Sequence, residues 1–416
     1  MLLLSCVAAN IALLFVFKYL GFSIKIIDMF LRQLHFQPLK IINFTLPIGI
    51  SFYTFQEISY LVDVYRKPES VQKSVLNLGL FIAFFPQLIA GPIVRYSAII
   101  AQIESRRENI AQFAAGLERF ITGLSKKILI ANTMARVCDT IYAADFFNYG
   151  SRLAWIAAVA YALQIYYDFS GYSDMAIGLA RLFGFELSEN FNYPYAASSI
   201  TDFWRRWHIS LTSFFRDYVY IPLGGNRKGR ARTVFNRFIV FFTTGLWHGA
   251  SVNFVLWGLI HGALMSLERA ILGERKDSGN ELKPIVKVCV SIARRIFHRA
   301  ITLFAVLLLW VLFRNGTKQT VKLILKMFGV NYTRFSGNFN PFFTDPFLTP
   351  NVYPQFFFIA GIAILFSFPW WRKIRLFQMQ SAVLTAAKYT ALLVLLVQCF
   401  ANLAGNSYNP FIYFRF

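Results

Sequence analysis

Apolar stretches of bilayer-spanning length recur along this chain. Of its 416 residues, 56% are hydrophobic and 18% are aromatic, and several stretches approach the roughly 20 apolar residues that a membrane-spanning helix needs. Residues 1–20 predict a first spanning helix rather than a signal peptide, because they lack a basic start and lead into more apolar chain. The composition therefore predicts an all-α, multi-pass membrane protein surrounded by the lipid bilayer.

The charge balance has a membrane explanation as well. Lys and Arg number 42 against 20 Asp and Glu, a formal net charge of +22. In a soluble protein this excess would suggest nucleic acid, but here the basic residues cluster in short loops, as the positive-inside rule expects, and no nucleic-acid motif accompanies them. The four cysteines lie far apart without metal-binding spacing, so neither a nucleic-acid partner nor a metal site is predicted.

One apolar stretch carries a histidine near its middle. Residues 235–259 are long enough to span a bilayer, yet they contain His248 directly after Trp247. An imidazole facing lipid at that depth is costly, so it should face the protein interior or a water-filled cavity. An apolar setting favours the neutral imidazole that a general base needs, and a structural histidine between helices is the alternative. Gly245 and Gly249 would let a neighbouring helix or a ligand approach closely.

A second histidine lies in an aromatic and basic segment. Ser199 and Asp202 form a capping-box pattern that predicts a helix start. On that helix, Trp204 and His208 would share one face. An interfacial helix, with His208 as a wet polar tip at the headgroup boundary, is the alternative to a catalytic role.

A glycine-rich basic loop follows at residues 224–230. It contains Arg227, Lys228 and Arg230 and is predicted to be flexible. Its backbone N–H groups and positive charge suit phosphate binding, although an ordinary positive-inside loop explains it without a ligand. It matches neither a Walker A motif nor a dinucleotide-binding fingerprint.

Residues 152–184 form a predicted helix that is apolar at first and then polar. A segment this polar cannot face lipid all round, so it should line an internal pocket or funnel. Its Asp168 and Asp174 are six residues apart and do not share a helix face, so a carboxylate dyad is not expected. Buried helix capping, or ion pairing with Arg205 or Arg206, is the simpler expectation.

The remaining segments predict the rest of the organisation. Residues 22–39 are expected along the membrane interface, 74–93 as an apolar segment broken near its end, and 110–142 as a helix pair or one long helix. Residues 252–272 are expected as a span with His261, and 273–299 as a charged loop and surface helix. Further membrane helices are expected at 301–313, 355–368 and 382–403, and an extramembrane loop at 331–354.

Long blocks of the sequence resemble a known family. They are FFPQLIAGPIVRY (84–96), YYDFSGYSDMAIGLARLFGFELSENFNYPY (166–195), SITDFWRRWHISLTSFFRDYVYIPLGGNRKG (199–229), TGLWHGASVNFVLWGLIHG (244–262) and NPFIYFRF (409–416). At these residues the chain resembles the membrane-bound O-acyltransferase family, and within it the branch that O-acetylates alginate and peptidoglycan. The branch that transfers D-alanine shares the RWH and WHG elements but usually lacks the PLGGNRKG loop.

The resemblance implies a fold and a set of site residues. It implies one membrane domain over residues 1–416, with roughly 9–11 membrane helices, some of them re-entrant or broken, around a central funnel. Family members begin with further helices before the segment matching residues 1–20, so these are expected to be missing here. The implied site has His248 and His208 as catalytic residues, Arg227, Lys228 and Arg230 at the CoA phosphates, and Tyr172, Asp174, Trp204, Trp247 and Gln87 along the substrate pocket.

The implied reaction carries an acetyl group across the bacterial cytoplasmic (inner) membrane. Acetyl-CoA is the expected donor, used as a substrate rather than held as a permanent cofactor, and a cell-surface or exported polysaccharide is the expected acceptor. A secreted or membrane-anchored esterase-like protein is the expected partner, with residues 331–354 as its docking loop. D-alanyl transfer to teichoic acid, a transporter or flippase, and a scaffold for a secreted partner are the alternatives.

Overall fold

The protein is built from α-helices. The computed structural model describes all residues except 43, 48, 89, 90, 107, 145–149, 273–283, 331–351, 371–380 and 406–416. Within that part of the chain no β-strand forms, so the all-α prediction is confirmed. The α-helices there are, in order, α1 (Leu2–Leu14), α2 (Leu20–Gln33), α3 (Ile50–Arg66), α4 (Val75–Ala83), α5 (Tyr96–Glu104), α6 (Ile110–Ser125), α7 (Asn132–Ala143), α8 (Ser151–Leu182), α9 (Ile200–Trp204), α10 (Ile209–Phe215), α11 (Gly229–His248), α12 (Val252–Leu272), α13 (Pro284–Arg314), α14 (Thr317–Met327), α15 (Val352–Phe366) and α16 (Ala382–Gly405).

The chain divides into two compact units. The first comprises Met1–Leu117, Ala176–Glu189 and Ser210–Leu259. The second comprises Glu118–Met175, Asn190–Ile209 and Ile260–Phe416. The single membrane domain expected over the whole chain stays a prediction.

Three helices among the described residues are long and apolar enough to cross a membrane. They are Leu2–Gln33, Ser291–Arg314 and Ala382–Gly405, and Pro354–Phe366 is a shorter apolar helix. Several other described helices are shorter, interrupted or more polar, so length and composition do not test the predicted nine to eleven membrane helices, and that number stays a prediction.

The N-terminal helix is longer than predicted. Helix α1, a π-helical segment at Phe15–Tyr19 and α2 follow one another without a break. The separate interfacial segment expected at 22–39 is therefore wrong over most of its length. A π-helical segment inserts extra residues into the turn and so changes the direction of the side chains around it.

Two other stretches each form one continuous helix. Of the two alternatives for residues 110–142, one long helix is confirmed, in which a π-helical segment, Lys126–Ala131, joins α6 to α7. The surface helix and the apolar segment 301–313 belong to the single helix α13, whose residues 291–297 are exposed. The first part of the charged loop (273–283) and nearly all of the loop 331–354 lie outside the described residues.

The core of the first unit contains a cluster of buried aromatic and aliphatic side chains. Phe81 packs edge-on against Tyr96 at 5.4 Å between ring centroids, and Phe84 lies 4.7 Å from Phe185. These contacts join α4, α5 and the segment after α8. Aromatic rings prefer edge-on or offset contacts, so these buried rings fix how the helices of the unit pack against each other.

In the second unit, helices α6 and α8 cross at two glycines. A Cβ atom on Gly123 would lie 2.5 Å from the Gly171 carbonyl oxygen, and one on Gly171 would lie 2.8 Å from that of Gly123. Only glycine permits so close an approach. The close approach of the two helices places Lys127 against Asp168, with 2.7 Å between Nζ and Oδ1, and both side chains are buried.

The second aspartate of α8 is paired in the same way. Arg119 Nη2 lies 2.6 Å from Asp174 Oδ1, and Lys126 Nζ lies 2.5 Å from its Oδ2. The expectation of ion pairs was right for Asp168 and Asp174, but the expected partners were wrong. Arg206 instead pairs with Asp202, four residues before it, at 2.8 Å.

Glycines also bring α11 and α12 together in the first unit. A Cβ atom on Gly245 would lie 2.4 Å from the Phe254 carbonyl oxygen, and one on Gly249 would lie 2.5 Å from the Phe254 ring. On the facing helix, a Cβ atom on Gly258 would lie 2.1 Å from the Phe241 carbonyl oxygen. Close approach of a neighbouring helix at Gly245 and Gly249 is thus confirmed.

Replacing Gly258 with alanine should destabilise the first unit. The new methyl group would collide with backbone atoms, and overpacking of this kind costs about 1–3 kcal/mol. The thermal unfolding midpoint of Gly258→Ala in detergent should fall. In the matched control Gly79→Ala, also in a helix of this unit, the Cβ atom meets nothing within 4 Å, so its midpoint should hold or rise. Equal midpoints for Gly258→Ala and wild type would contradict the packing.

Removing one member of the Lys127–Asp168 pair should lower the stability of the fold more than removing both. A single Asp168→Asn or Lys127→Met change leaves one buried charge without its counter-ion, a loss of about 3–5 kcal/mol. The double variant removes both charges and should regain part of that loss. Thermal midpoints of the four proteins form a double-mutant cycle, and strict additivity would count against a direct pair.

Candidate active site

His248 is the last residue of α11. Gly249 continues in extended backbone, with φ 177° and ψ 153°, and α12 begins at Val252. The predicted continuous span 235–259 is therefore wrong, because the helix breaks immediately after the histidine. His248 is only 8% exposed, and its Nδ1 is shielded from solvent.

The end of α11 is capped by the first helix of the chain. The last carbonyls of any helix lack intrahelical donors. Tyr19 Oη donates to the Leu246 carbonyl at 3.0 Å, and Lys18 Nζ donates to the Trp247 carbonyl and, at 3.3 Å, to Ser51 Oγ. A cation at a helix C-terminus also complements the helix dipole. Sequence reasoning missed both donors, and the one available signal was a lysine inside an otherwise apolar helix.

Aromatic rings surround His248. Its imidazole lies edge-on to Trp247 at 4.9 Å and to Trp257 at 5.2 Å between ring centroids. Trp247 itself is stacked against Phe55 at 5.8 Å and contacts Phe52 edge-on at 5.9 Å. These large rings leave the imidazole little room to change orientation.

His208 lies in a turn between two short helices. Ser199 Oγ accepts from the Asp202 backbone N–H at 3.0 Å, so the predicted helix start is confirmed. That helix ends at Trp204 and the next begins at Ile209, so the expected shared helix face of Trp204 and His208 is wrong. His208 adopts φ 44°, a left-handed conformation that costs a residue with a Cβ atom about 1–2 kcal/mol.

A chain of hydrogen bonds holds His208 inside the second unit. Its Nδ1 lies 3.1 Å from Asn190 Oδ1, and Asn190 Nδ2 donates to Ser173 Oγ at 3.1 Å. The Asn190 carbonyl also accepts from the Ile209 backbone N–H at 2.9 Å. With an amide oxygen as its acceptor, the imidazole carries its proton on Nδ1. His208 is 0% exposed, and the Phe169 ring packs edge-on against it at 4.7 Å.

A third buried histidine partners Trp204. The indole Nε1 of Trp204 donates to His261 Nδ1 at 3.2 Å, and Phe203 stacks parallel to the same imidazole at 6.3 Å. This hydrogen bond uses the indole N–H of Trp204, a residue that was predicted to line the substrate pocket. The sequence placed His261 in a helix, as found, but did not predict its contact with Trp204.

Two other predicted pocket residues have structural contacts. Gln87 is buried, and its Nε2 donates to the Phe81 carbonyl at 2.7 Å near the end of α4. Asp174 is engaged by its two cations. Tyr172 is half-buried on α8, and its place in a substrate pocket stays a prediction.

The glycine-rich loop has a defined conformation. Gly224 and Gly225 adopt φ 103° and 56°, values that favour glycine. The buried amide of Asn236 donates to the Leu223 carbonyl at 3.3 Å and to that of Gly225 at 2.9 Å. These bonds define a folded turn, the flexibility of the loop stays a prediction, and Asn236 is a residue that sequence reasoning missed.

The three predicted phosphate-binding cations lie at the surface of the first unit. Arg227 and Lys228 are in the turn, whereas Arg230 is in the first turn of α11, which begins at Gly229. All three side chains are exposed. Among the described ion pairs, none ties these cations to a carboxylate, so their charge is available to an anionic ligand.

Arginines anchor the segment that precedes the loop. Arg95 Nη1 lies 2.5 Å from Asp217 Oδ2, and Tyr218 Oη donates to Asp63 Oδ1 at 2.8 Å. Burial raises the pKa of Asp217, but the adjacent guanidinium groups of Arg216 and Arg95 outweigh it and hold that pKa below its usual value. The carboxylate therefore stays charged and keeps the segment in place.

The sequence matches a family model and several curated proteins. The membrane-bound O-acyltransferase model matches residues 68–279. The chain is 39% identical to a probable alginate O-acetylase of Pseudomonas syringae over 80% of its length, 36% identical to one of Pseudomonas putida over 100%, and 37% identical to a peptidoglycan O-acetyltransferase of Helicobacter pylori over 78%. These alignments span 60%, 84% and 64% of the three relatives. Matched over half of its length by the model and over all of it by the Pseudomonas putida protein, the chain belongs to the membrane-bound O-acyltransferase family.

Proposed function

We propose that this protein transfers an acetyl group from acetyl-CoA to a hydroxyl group, for the O-acetylation of a cell-surface or exported polysaccharide. Family membership supports acyl transfer, and the names of the alginate and peptidoglycan O-acetylating relatives support an acetyl group and a glycan acceptor. The observation that carries the proposal is His248, a buried imidazole at a capped helix end, fixed between two tryptophans.

In the proposed reaction, His248 is the general base. Its Nε2 takes the proton of the acceptor hydroxyl, because Nδ1 is shielded from solvent. The hydroxyl oxygen attacks the thioester carbonyl carbon and forms a tetrahedral intermediate. The C–S bond then breaks, the carbonyl re-forms, and the imidazolium returns its proton to the departing sulfur, so that the products are an acetyl ester and free CoA.

The proposed donor site lies at the basic loop. CoA carries several phosphate charges, which Arg227, Lys228 and Arg230 would pair with through charge-assisted hydrogen bonds. Their exposure supports this role, since a bulky nucleotide could not reach buried cations. The hydrogen bonds of Asn236 fix the backbone of the turn and so the starting positions of these side chains.

For His208 we propose a positioning role within the second unit. Its complete burial and its hydrogen-bond chain through Asn190 to Ser173 favour a residue that holds the turn between α9 and α10. Direct contact with substrate, which the family resemblance implies, is the alternative. A His208→Asn variant separates the two, because a positioning residue alters folding stability together with rate.

The cellular context of the proposal is the bacterial cytoplasmic membrane. The three helices that could span a bilayer support a membrane location. Acetyl-CoA is cytosolic and highly charged, so the reaction would admit the thioester from one side and release the acetyl group towards the other. An extracytoplasmic esterase-like partner that completes transfer to the glycan belongs to the same proposal.

Replacing His248 should strongly lower the rate of acetyl transfer without lowering membrane abundance. General-base catalysis contributes typically 10²–10⁴-fold, so His248→Ala and His248→Gln should lose about that factor in thiol release from acetyl-CoA. The control His298→Ala removes a half-buried histidine of α13 that lies outside the candidate site, and it should keep the wild-type rate. A normal rate in both His248 variants would refute the proposal. Substrate flux in proteoliposomes without any acyl donor would favour a transporter instead.

Neutralising the loop cations should weaken donor binding selectively. Arg227→Gln/Lys228→Gln removes two exposed charges, and hydrogen bonds to charged groups contribute about 1.5–3 kcal/mol each. The KM for acetyl-CoA should rise about ten-fold or more while kcat changes little, and KM should depend less on ionic strength. The control Lys318→Gln/Lys322→Gln removes two exposed charges from α14 and should leave KM unchanged. Equal KM values in both double variants would place the donor elsewhere.

A further inference from the structure

A cavity of about 230 Å³ lies beside the break that follows His248. Ala250, in the break itself, forms part of its wall, and the first helix supplies most of the rest. Lys18 and Lys25 line it together with the rings of Phe17, Phe22 and Phe44. Neither histidine of the candidate site lines this cavity, so the proposed acyl transfer does not account for it.

Lys18 brings a positive charge into the cavity wall, where no described acidic residue forms an ion pair with it. Its ammonium group has three N–H donors, of which two are used by the Trp247 carbonyl and Ser51 Oγ. Among the described residues, no carboxylate lies within 4 Å of Lys18, and the acidic residue of α2, Asp28, is bonded to Arg32 at 2.7 Å. Charges that are partly removed from water are normally paired, so this one calls for an anion.

Lys25 supplies a second cation on the same side of the helix. Seven residues are close to two helical turns, which separates Lys18 and Lys25 by roughly 10 Å along the axis. Lys25 is exposed, and no described ion pair includes it. The cavity is therefore bounded by two lysines that share a helix face, one half-buried and one open to solvent.

The position of the cavity along the helix indicates the depth at which a ligand would bind. The residues before Lys18 are uncharged from Leu2 to Phe17, and several of them, such as Ile11 and Val16, are exposed as lipid-facing side chains are. Charged residues begin at Lys18. This is the pattern of a helix leaving the hydrocarbon core, so the cavity lies near the level of the phospholipid headgroups.

We propose that this cavity binds a phosphate group. Phosphate offers several strong acceptor oxygens, and lysine is a common point-charge partner for it. The volume is smaller than the roughly 300 Å³ at which pockets for drug-sized ligands begin, which suits a single headgroup or a small phosphate ester. A bound phosphate would share Lys18 with the Trp247 carbonyl and so stabilise the helix end that carries His248.

The test is ligand-induced stabilisation of the purified full-length protein in non-ionic detergent. Phosphatidylglycerol, phosphatidylcholine and glycerol 3-phosphate are added separately, and the thermal unfolding midpoint is measured as a function of ligand concentration. Stabilisation by phosphatidylglycerol alone identifies an anionic lipid headgroup, and stabilisation by glycerol 3-phosphate as well identifies a soluble phosphate ester. No stabilisation by either would overturn the proposal.

Variants place the binding in this cavity. Lys25→Met removes the second cation without touching the hydrogen bonds of Lys18, and it should weaken the stabilising ligand about ten-fold or more. Lys18→Met should weaken it further, and if that variant fails to fold, Lys25→Met alone decides. The control Lys322→Met, on the exposed face of α14, should bind as wild type does. Unchanged binding by Lys25→Met, or an equal loss in Lys322→Met, would refute the site.

Discussion

A charged side chain inside an apolar helical protein needs a partner, and this requirement organises much of the structure. The two aspartates of α8 are kept buried because α6 and the π-helical segment that continues it present three cations to them. Those cations reach the aspartates only because Gly123 and Gly171 let the helices approach to backbone contact. Two of them lie in a π-helical segment, which re-aims its side chains relative to a regular helix. In this unit the charge pairing therefore depends on the close packing of the two helices.

The same physics explains the His248 centre. Ending a helix at His248 leaves carbonyl groups without donors, which is costly away from water. Lys18 and Tyr19, placed by the π-helical segment of the first helix, donate to those carbonyls. The donors that satisfy the helix end also hold the backbone next to the imidazole. The imidazole that we propose as the general base is thus kept in place by contacts that satisfy a helix end, and the cation used for them lines a separate cavity.

Much of the local structure was predictable from the residues. Helix α8 and helix α12 were expected close to their observed bounds, and Ser199 caps α9 as its sequence pattern indicates. The wrong predictions concern helix ends, at places where the apolar sequence pattern continues but the helix does not. Residues 235–259 are largely apolar on both sides of His248, yet the backbone leaves the helix at Gly249, whose Cβ position is filled by the Phe254 ring. His208 was expected on a helix but lies in a turn, where hydrogen bonds from His208 Nδ1 and from the Ile209 backbone N–H to Asn190 offset the left-handed backbone.

By itself, the sequence determined the membrane class, the helical fold and the family, because hydropathy, capping patterns and long motif blocks are all local in the chain. Only the tertiary structure decided which charges pair, where the helices break and what holds the two histidines. Lys18 and the carbonyl that it caps are 229 residues apart, and Lys126 lies 48 residues from Asp174. No periodicity within either segment encodes such a contact, since it depends on how closely the folded helices approach each other.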